Sequence, residues 1–178
     1  MRRAAAILGF VLLASSCGSR GDIVPTVKDV DANLARARAV AVPLYYAGRS
    51  FAGLPLTHVE LEGPGRAFFV YGTCVIPAGQ TEGGCAPPVQ IQLFPFDPGQ
   101  WRRAVACHRR RSLLGVPTAR HDGLVLFTGR TVVKIYARSH AEDRRVALTL
   151  RRVGDDKPLR RLPPPTAPVR ELQARVCR

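Results

Sequence analysis

The sequence is poor in several residue types whose chemistry is easy to recognise. Its 178 residues include one methionine, one tryptophan and five cysteines, and no Cys-x-x-Cys occurs. Neither a zinc knuckle nor a thioredoxin-like redox pair is therefore predicted. The four histidines fall in four separate stretches and no two are four positions apart, so the helical metalloprotease pair is excluded. The residues indicate no cofactor and no metal.

A long hydrophobic run is also missing. The apolar stretch 4–14 follows Arg2 and Arg3 and is shorter than the roughly 20 residues that a membrane-spanning helix needs. A basic start and a short apolar core predict a secretory signal peptide over residues 1–16. An ordinary signal peptide cut nearby would leave Cys17 an incidental thiol.

Leu13-Ala-Ser-Ser-Cys17 resembles a bacterial lipobox, although Leu13 lies one place further from the cysteine than in the commonest pattern. The resemblance implies cleavage before Cys17, lipidation of that residue and a polar tether over residues 17–25. It places the chain on the outer face of the cytoplasmic membrane.

The remaining cysteines are even in number, and an oxidising compartment permits them to pair. Four cysteines allow three connectivities. Cys74 and Cys85 flank a Gly-rich loop, and a disulfide between them would stabilise the fold by roughly 2–3 kcal/mol. Cys107 and Cys177 form the second predicted pair by exclusion.

The charge is strongly positive, +14, and 24 of the 27 basic residues are arginine, since Lys28, Lys134 and Lys157 are the lysines. Such arginine dominance is typical of a GC-rich genome. A basic exported protein is expected to meet an anionic lipid or wall polymer rather than nucleic acid. The candidate anion-binding patch comprises Arg102, Arg103, Arg109, Arg110 and Arg111. A solvated basic face is the alternative.

Helical patterns occur in three places before residue 155. Spacing and a capping box predict a helix over 27–38. Asp97-Pro98 predicts a second over 97–106. Ser139-x-x-Glu142 opens a third, in which Val146, Leu150 and Val153 share a face and Gly154 ends the helix.

Strand patterns fill the rest of the domain. A strand is predicted over 40–46, a hairpin over 57–73, a strand over 89–93 and a three-stranded meander over 116–137. We therefore predict one α+β domain over 26–154, with an antiparallel sheet of about five to seven strands and helices packed on one face. Residues 155–178 are predicted to be a Pro-rich extension with a short helix over 168–176.

Five short segments carry a family resemblance: residues 45–57, 71–74, 83–88, 115–120 and 124–131. Together they resemble a group of uncharacterised exported lipoproteins of high-GC Gram-positive, actinobacterial-type bacteria, to which no activity is assigned. The resemblance spans residues 40 to about 153 and implies compartment and covalent framework, not an activity.

The functional prediction is a non-catalytic envelope lipoprotein that binds a ligand or a protein partner. An accessory subunit is one alternative, and a wall or membrane hydrolase is another. Gly48-Arg-Ser50-Phe-Ala-Gly53 differs from a nucleophile elbow because its second glycine comes one position late. A binding module is expected to present an aromatic cleft, with Tyr45, Tyr46, Phe68 and Tyr71 as candidates.

Overall fold

The computed structural model of the chain describes residues 27–73, 87–99, 111–120 and 122–166. These ranges form a mixed α/β fold. The described helices are α1 (Val27–Arg38) and α2 (His140–Leu148). The strands are β1 (Tyr45–Tyr46), β2 (Ser50–Phe51), β3 (Leu54–Leu61), β4 (Ala67–Tyr71), β5 (Val89–Pro95), β6 (Arg111–Leu113), β7 (Val116–Arg120), β8 (Leu124–Thr128), β9 (Thr131–Ala137) and β10 (Arg151–Arg152).

Eight of these strands form one antiparallel sheet in the order β2-β3-β4-β5-β9-β8-β7-β6. Two meanders, β2 to β5 and β6 to β9, join where β5 pairs with β9 in the middle of the sheet. The predicted antiparallel sheet is confirmed, but it has more strands than the five to seven expected. Both edge strands are short, since β2 has two residues and β6 has three.

The predicted hairpin and meander are both present. Strand β3 pairs with β4, and β7, β8 and β9 pair in sequence order. The turn between β7 and β8 needs its glycine, because Gly123 has φ 129° and a Cβ there would lie 2.3 Å from the Ile135 carbonyl oxygen. This turn fixes the register of the meander.

Helix α1 has the predicted bounds, and α2 begins as predicted. The Ser139 side chain accepts a hydrogen bond from the backbone N–H of Glu142 at 3.3 Å. The Glu142 carboxylate accepts in turn from the Arg138 N–H at 3.1 Å, one residue earlier than an ideal capping box.

The predicted end of α2 was wrong. The helix stops at Leu148 with Thr149 as its C-cap, and Gly154 lies in a later turn. Arg151 and Arg152 instead form β10, which pairs with β1 in a separate two-stranded sheet. The backbone pairing of β10 with β1 therefore determines the conformation of this segment, although its apolar residues have helical spacing.

The predicted strand over 40–46 was too long. Only Tyr45–Tyr46 is a strand, and Val40 to Leu44 is irregular. Pro43 has no N–H to donate to a ladder, which accounts for the late start.

The main core lies on one face of the eight-stranded sheet, here called the first face. Both described helices pack on it. Its buried residues include Val30, Leu34, Val59, Phe69, Tyr71, Ile91, Leu93, Val133, Ile135, Val146, Ala147 and Leu150. Asn33 ties α1 to β3 by donating to the Val59 carbonyl at 2.6 Å.

Residues 155–166 run back along the domain. The Leu162 N–H donates to the Leu114 carbonyl at 2.9 Å, and the Thr128 hydroxyl donates to the Pro163 carbonyl at 2.8 Å. The predicted helix 168–176 lies outside the described residues, as does most of the helix predicted over 97–106.

Candidate binding face

The opposite side of the sheet, here called the second face, carries the alternate residues of the same strands. Strand register places Phe68, Gln92 and Lys134 in one cross-strand row, with Gln90 and Tyr136 in the next. The buried hydrophobic residues of α1 and α2 all belong to the core on the first face. Phe68, both glutamines and Tyr136 are only half-buried. The second face thus offers aromatic and amide groups within reach of solvent.

Lys134 is the most unusual residue of the second face. It is 8% exposed, although lysine is rarely buried without a partner. Its ammonium lies 4.5 Å from the centre of the Tyr136 ring, which places it in a cation–π contact. Across the described ranges no carboxylate forms an ion pair with it.

Beside Lys134 and the two glutamines, the second face also carries a buried apolar cluster. Val125, Phe127 and Val132 are almost fully buried and form a small separate cluster with Ala119. Phe94 and Phe96 pack against that cluster. The Phe68 and Phe94 rings meet edge to face at 5.8 Å, which connects Phe68 to this cluster.

Two carboxylates border the second face near β3, and each has a basic side chain beside it. Glu60 lies 3.4 Å from the His58 ring nitrogen, and Glu62 lies 4.0 Å from Arg66. These side chains are well exposed, so the pairs contribute little to stability.

The sequence-predicted aromatic set is divided between the two faces. Phe68 lies on the second face, whereas Tyr45, Tyr46 and Tyr71 are buried in the core. The Tyr71 hydroxyl accepts from the Ala47 N–H at 2.7 Å and donates to the Gly48 carbonyl at 3.1 Å. Burial raises the pKa of Tyr71, and to a lesser degree burial also raises the pKa of Tyr45. These tyrosines hold the fold together and do not line a cleft.

The other predicted site residues lie mostly outside the described residues. This applies to the lipidation site Cys17, to the disulfide candidates Cys74, Cys85, Cys107 and Cys177, and to Arg102, Arg103, Arg109 and Arg110 of the basic patch. Arg111 is the first residue of β6 and pairs with Thr118.

Ser50 does not occupy a nucleophile elbow. It is an exposed residue of β2, followed by a tight turn in which Ala52 and Gly53 have positive φ. Its neighbour Phe51 is buried.

Two histidines of the described ranges have carboxylate neighbours. One is the exposed His58–Glu60 pair on β3. In the other, the His140 Nδ1 lies 3.3 Å from Asp143 Oδ2 in the first turn of α2. Burial raises the pKa of Asp143, and the hydrogen bond from His140 counteracts part of that rise. His108 and His121 lie outside the described residues.

Within the described ranges, no group of three or more His, Cys, Asp or Glu side chains is placed to hold a metal ion. In the same ranges, no helix has the length and apolar character needed to cross a membrane.

Sequence reasoning did not name Lys134 as a candidate site residue. The signal was nonetheless present, because Lys134 interrupts the otherwise apolar segment Val132-Val-Lys-Ile135 of a central strand. A lone charge in such a strand indicates a candidate functional residue, because burying a charge is costly.

Comparison with known proteins identifies no relative: no family model, no curated protein and no solved structure matches the chain.

Proposed function

We propose that this chain is an envelope lipoprotein whose domain is a non-catalytic binding module and whose second face is the binding surface. One observation supports this choice above the others. Aromatic and amide side chains stand half-buried on a sheet face where neither described helix packs. Sites for small ligands combine aromatic walls with a few placed polar groups, and the second face has both.

The anchor is proposed from the N-terminal sequence. Arg2, Arg3, the apolar run 4–14 and Ser16-Cys17 match an exported lipoprotein, and residues 18–25 would tether Cys17 to the domain. The resemblance to exported lipoproteins of high-GC Gram-positive bacteria supports the same compartment. Intact-mass analysis of protein from the native host should give a chain that starts at a diacylated Cys17. An unmodified N-terminus elsewhere would refute the anchor.

The disulfides are part of the same proposal. Strands β4 and β5 are hairpin partners, and Tyr71 pairs with Val89. This register brings the two ends of the intervening loop onto adjacent strands, which supports a Cys74–Cys85 bond. The Cys107–Cys177 pair rests on exclusion alone. Peptide mapping without reductant identifies both pairs, and a free thiol at Cys74 would exclude the first.

Sedimentation with isolated wall fragments tests the binding surface. Phe68→Ala and Tyr136→Ala remove aromatic side chains from the second face and should each weaken co-sedimentation. Leu148→Ala is the control, because Leu148 is 50% exposed on α2, in the layer on the other side of the sheet. Equal binding by all three variants, each with a normal unfolding transition, would show that the second face is not the binding surface.

A further inference from the structure

The further inference concerns what the second face binds, so it rests on the proposed function. Its starting point is the Lys134 ammonium. Lys134 is 8% exposed, and its ammonium lies over the Tyr136 ring. Across the described ranges it forms no ion pair. The Nζ atom itself reaches solvent, because the buried side-chain nitrogens and oxygens without a hydrogen-bond partner in the described ranges are Asp143 Oδ1 and Arg151 Nε. An anionic ligand group at this position would pair with an ammonium that no carboxylate of the described residues neutralises.

The neighbours of Lys134 indicate what the rest of the ligand would be. Gln92 is its cross-strand partner on β5, and Gln90 is the partner of Tyr136. Each glutamine amide offers an acceptor oxygen and two N–H donors, a combination that matches hydroxyl groups. The rings of Phe68 and Tyr136 supply flat apolar surface beside these amides. Hydroxyl groups on a carbon ring with an apolar side are the chemistry of a sugar.

The charges around the second face limit how many anionic groups the ligand presents there. Glu60 and Glu62 have His58 and Arg66 as neighbours, so they do not neutralise Lys134. Arg66 also lies over the Phe94 ring, 5.8 Å from its centre. Among the described residues of this face, Lys134 therefore supplies one positive charge without a carboxylate. One ammonium fits one carboxylate better than it fits a chain of phosphates.

We propose that the second face binds a carboxylate-bearing sugar residue of an anionic glycan. The Lys134 ammonium binds the carboxylate. Gln90 and Gln92 hydrogen-bond to hydroxyl groups, and the rings of Phe68 and Tyr136 contact the sugar ring.

The test is a calorimetric titration with trigalacturonate and with its methyl ester, which has the same ring shapes without the charge. The protein is the mature chain with Cys17→Ser, so that no lipid contributes. Trigalacturonate should bind at least about tenfold more tightly than the ester, since one charged hydrogen bond contributes about 1.5–3 kcal/mol. Lys134→Met should reduce trigalacturonate binding to the level of the ester and leave ester binding unchanged.

Two further variants separate charge from shape. Lys157→Met removes an exposed lysine and should change neither affinity. Gln92→Leu should weaken both ligands to a similar degree, because it removes contacts to hydroxyl groups that both ligands carry. Thermal unfolding of each variant confirms that it is folded.

Three results would overturn the proposal. They are equal affinity for trigalacturonate and its ester, undiminished selectivity in Lys134→Met, and binding to phosphatidylglycerol vesicles in place of trigalacturonate. The last result would identify a lipid headgroup as the ligand. If Phe68→Ala and Tyr136→Ala abolish wall sedimentation while trigalacturonate does not bind, the binding face stands and the ligand class is wrong.

Discussion

The two faces of the sheet consist of alternate residues of the same strands, yet their composition differs sharply. On β4, Phe69 is fully buried beneath the helices, whereas the preceding residue Phe68 is half-buried on the opposite side. On β5, Ile91 and Leu93 point to the first face, and Gln90 and Gln92 point to the second. Along β4 and β5 one backbone therefore presents a dry apolar layer on the first face and a half-buried layer with polar groups on the second.

This difference shows what each face contributes. A residue on the first face contributes by leaving water, so its size and shape determine stability. A half-buried amide gains less from burial, because it exchanges hydrogen bonds with water for others of similar strength. Stability therefore does not require the half-buried residues of the second face to be apolar, and their polar groups can serve another role.

The largest expected effect comes from the neighbouring pair on β4. Phe69→Ala should lower the free energy of unfolding by about 3–5 kcal/mol, since it opens a cavity in a fully buried layer. Phe68→Ala should cost about 1 kcal/mol, because its ring is only half-buried. Urea unfolding of the two variants measures the difference. Equal losses would mean that the second face is as important to stability as the first.

A smaller effect is expected from one hydroxyl group on each side. Tyr71→Phe leaves the buried Ala47 N–H without its acceptor and should cost about 1–3 kcal/mol. Tyr136→Phe keeps the ring under the Lys134 ammonium and should change stability by less than about 0.5 kcal/mol. Thermal unfolding at one pH is sufficient for the comparison. A Tyr71→Phe variant as stable as wild type would show that water replaces the tyrosine at Ala47.

The sequence predicted the elements whose signals are local. Thr57 to Leu61 alternates cleanly, Asp122-Gly123 marks a tight hairpin, and Ser139 begins α2, so these elements were predicted correctly. Local signals could not reveal β10, because Arg151 pairs with Tyr46 across more than a hundred residues of chain.

The candidate site depended on the same long-range information. Phe68 was named from the sequence, but Tyr45, Tyr46 and Tyr71 were placed beside it incorrectly. Which side of the sheet each aromatic occupies follows from strand register. Lys134 and Gln92 become neighbours only when β5 pairs with β9, across 41 intervening residues that include strands β6, β7 and β8. No spacing rule in the sequence predicts that contact.

The smallest effect should come from the buried carboxyl group in the helical layer of the first face. Asp143 is 3% exposed, and across the described ranges its Oδ1 has no hydrogen-bond partner. Burial raises the pKa of Asp143 in the folded state; the His140 hydrogen bond and the charges of His140 and Arg120 act in the opposite direction. A carboxyl group with a raised folded pKa binds more protons in the folded chain than in the unfolded one. Its contribution to stability is therefore complete below the unfolded pKa, about 3.9, and is lost as the pH rises through the folded value.

Asp143→Asn keeps the shape of the protonated side chain at every pH. The variant should be as stable as wild type near pH 3 and more stable than wild type as the pH rises. This gain should be smaller than the losses expected for Phe69→Ala and Tyr71→Phe. Unfolding measured in steps from pH 3 to pH 6 tests this. His140→Gln is the matched variant, because it removes the partner that lowers the Asp143 pKa. In this variant the contribution of Asp143 to stability should be lost at a higher pH than in wild type. If Asp143→Asn is instead less stable than wild type above pH 5, the ion pair with His140 outweighs the cost of burial. The buried Asp143 carboxylate would then have its partner, His140, within the fold. Lys134 on the second face has no such partner among the described residues.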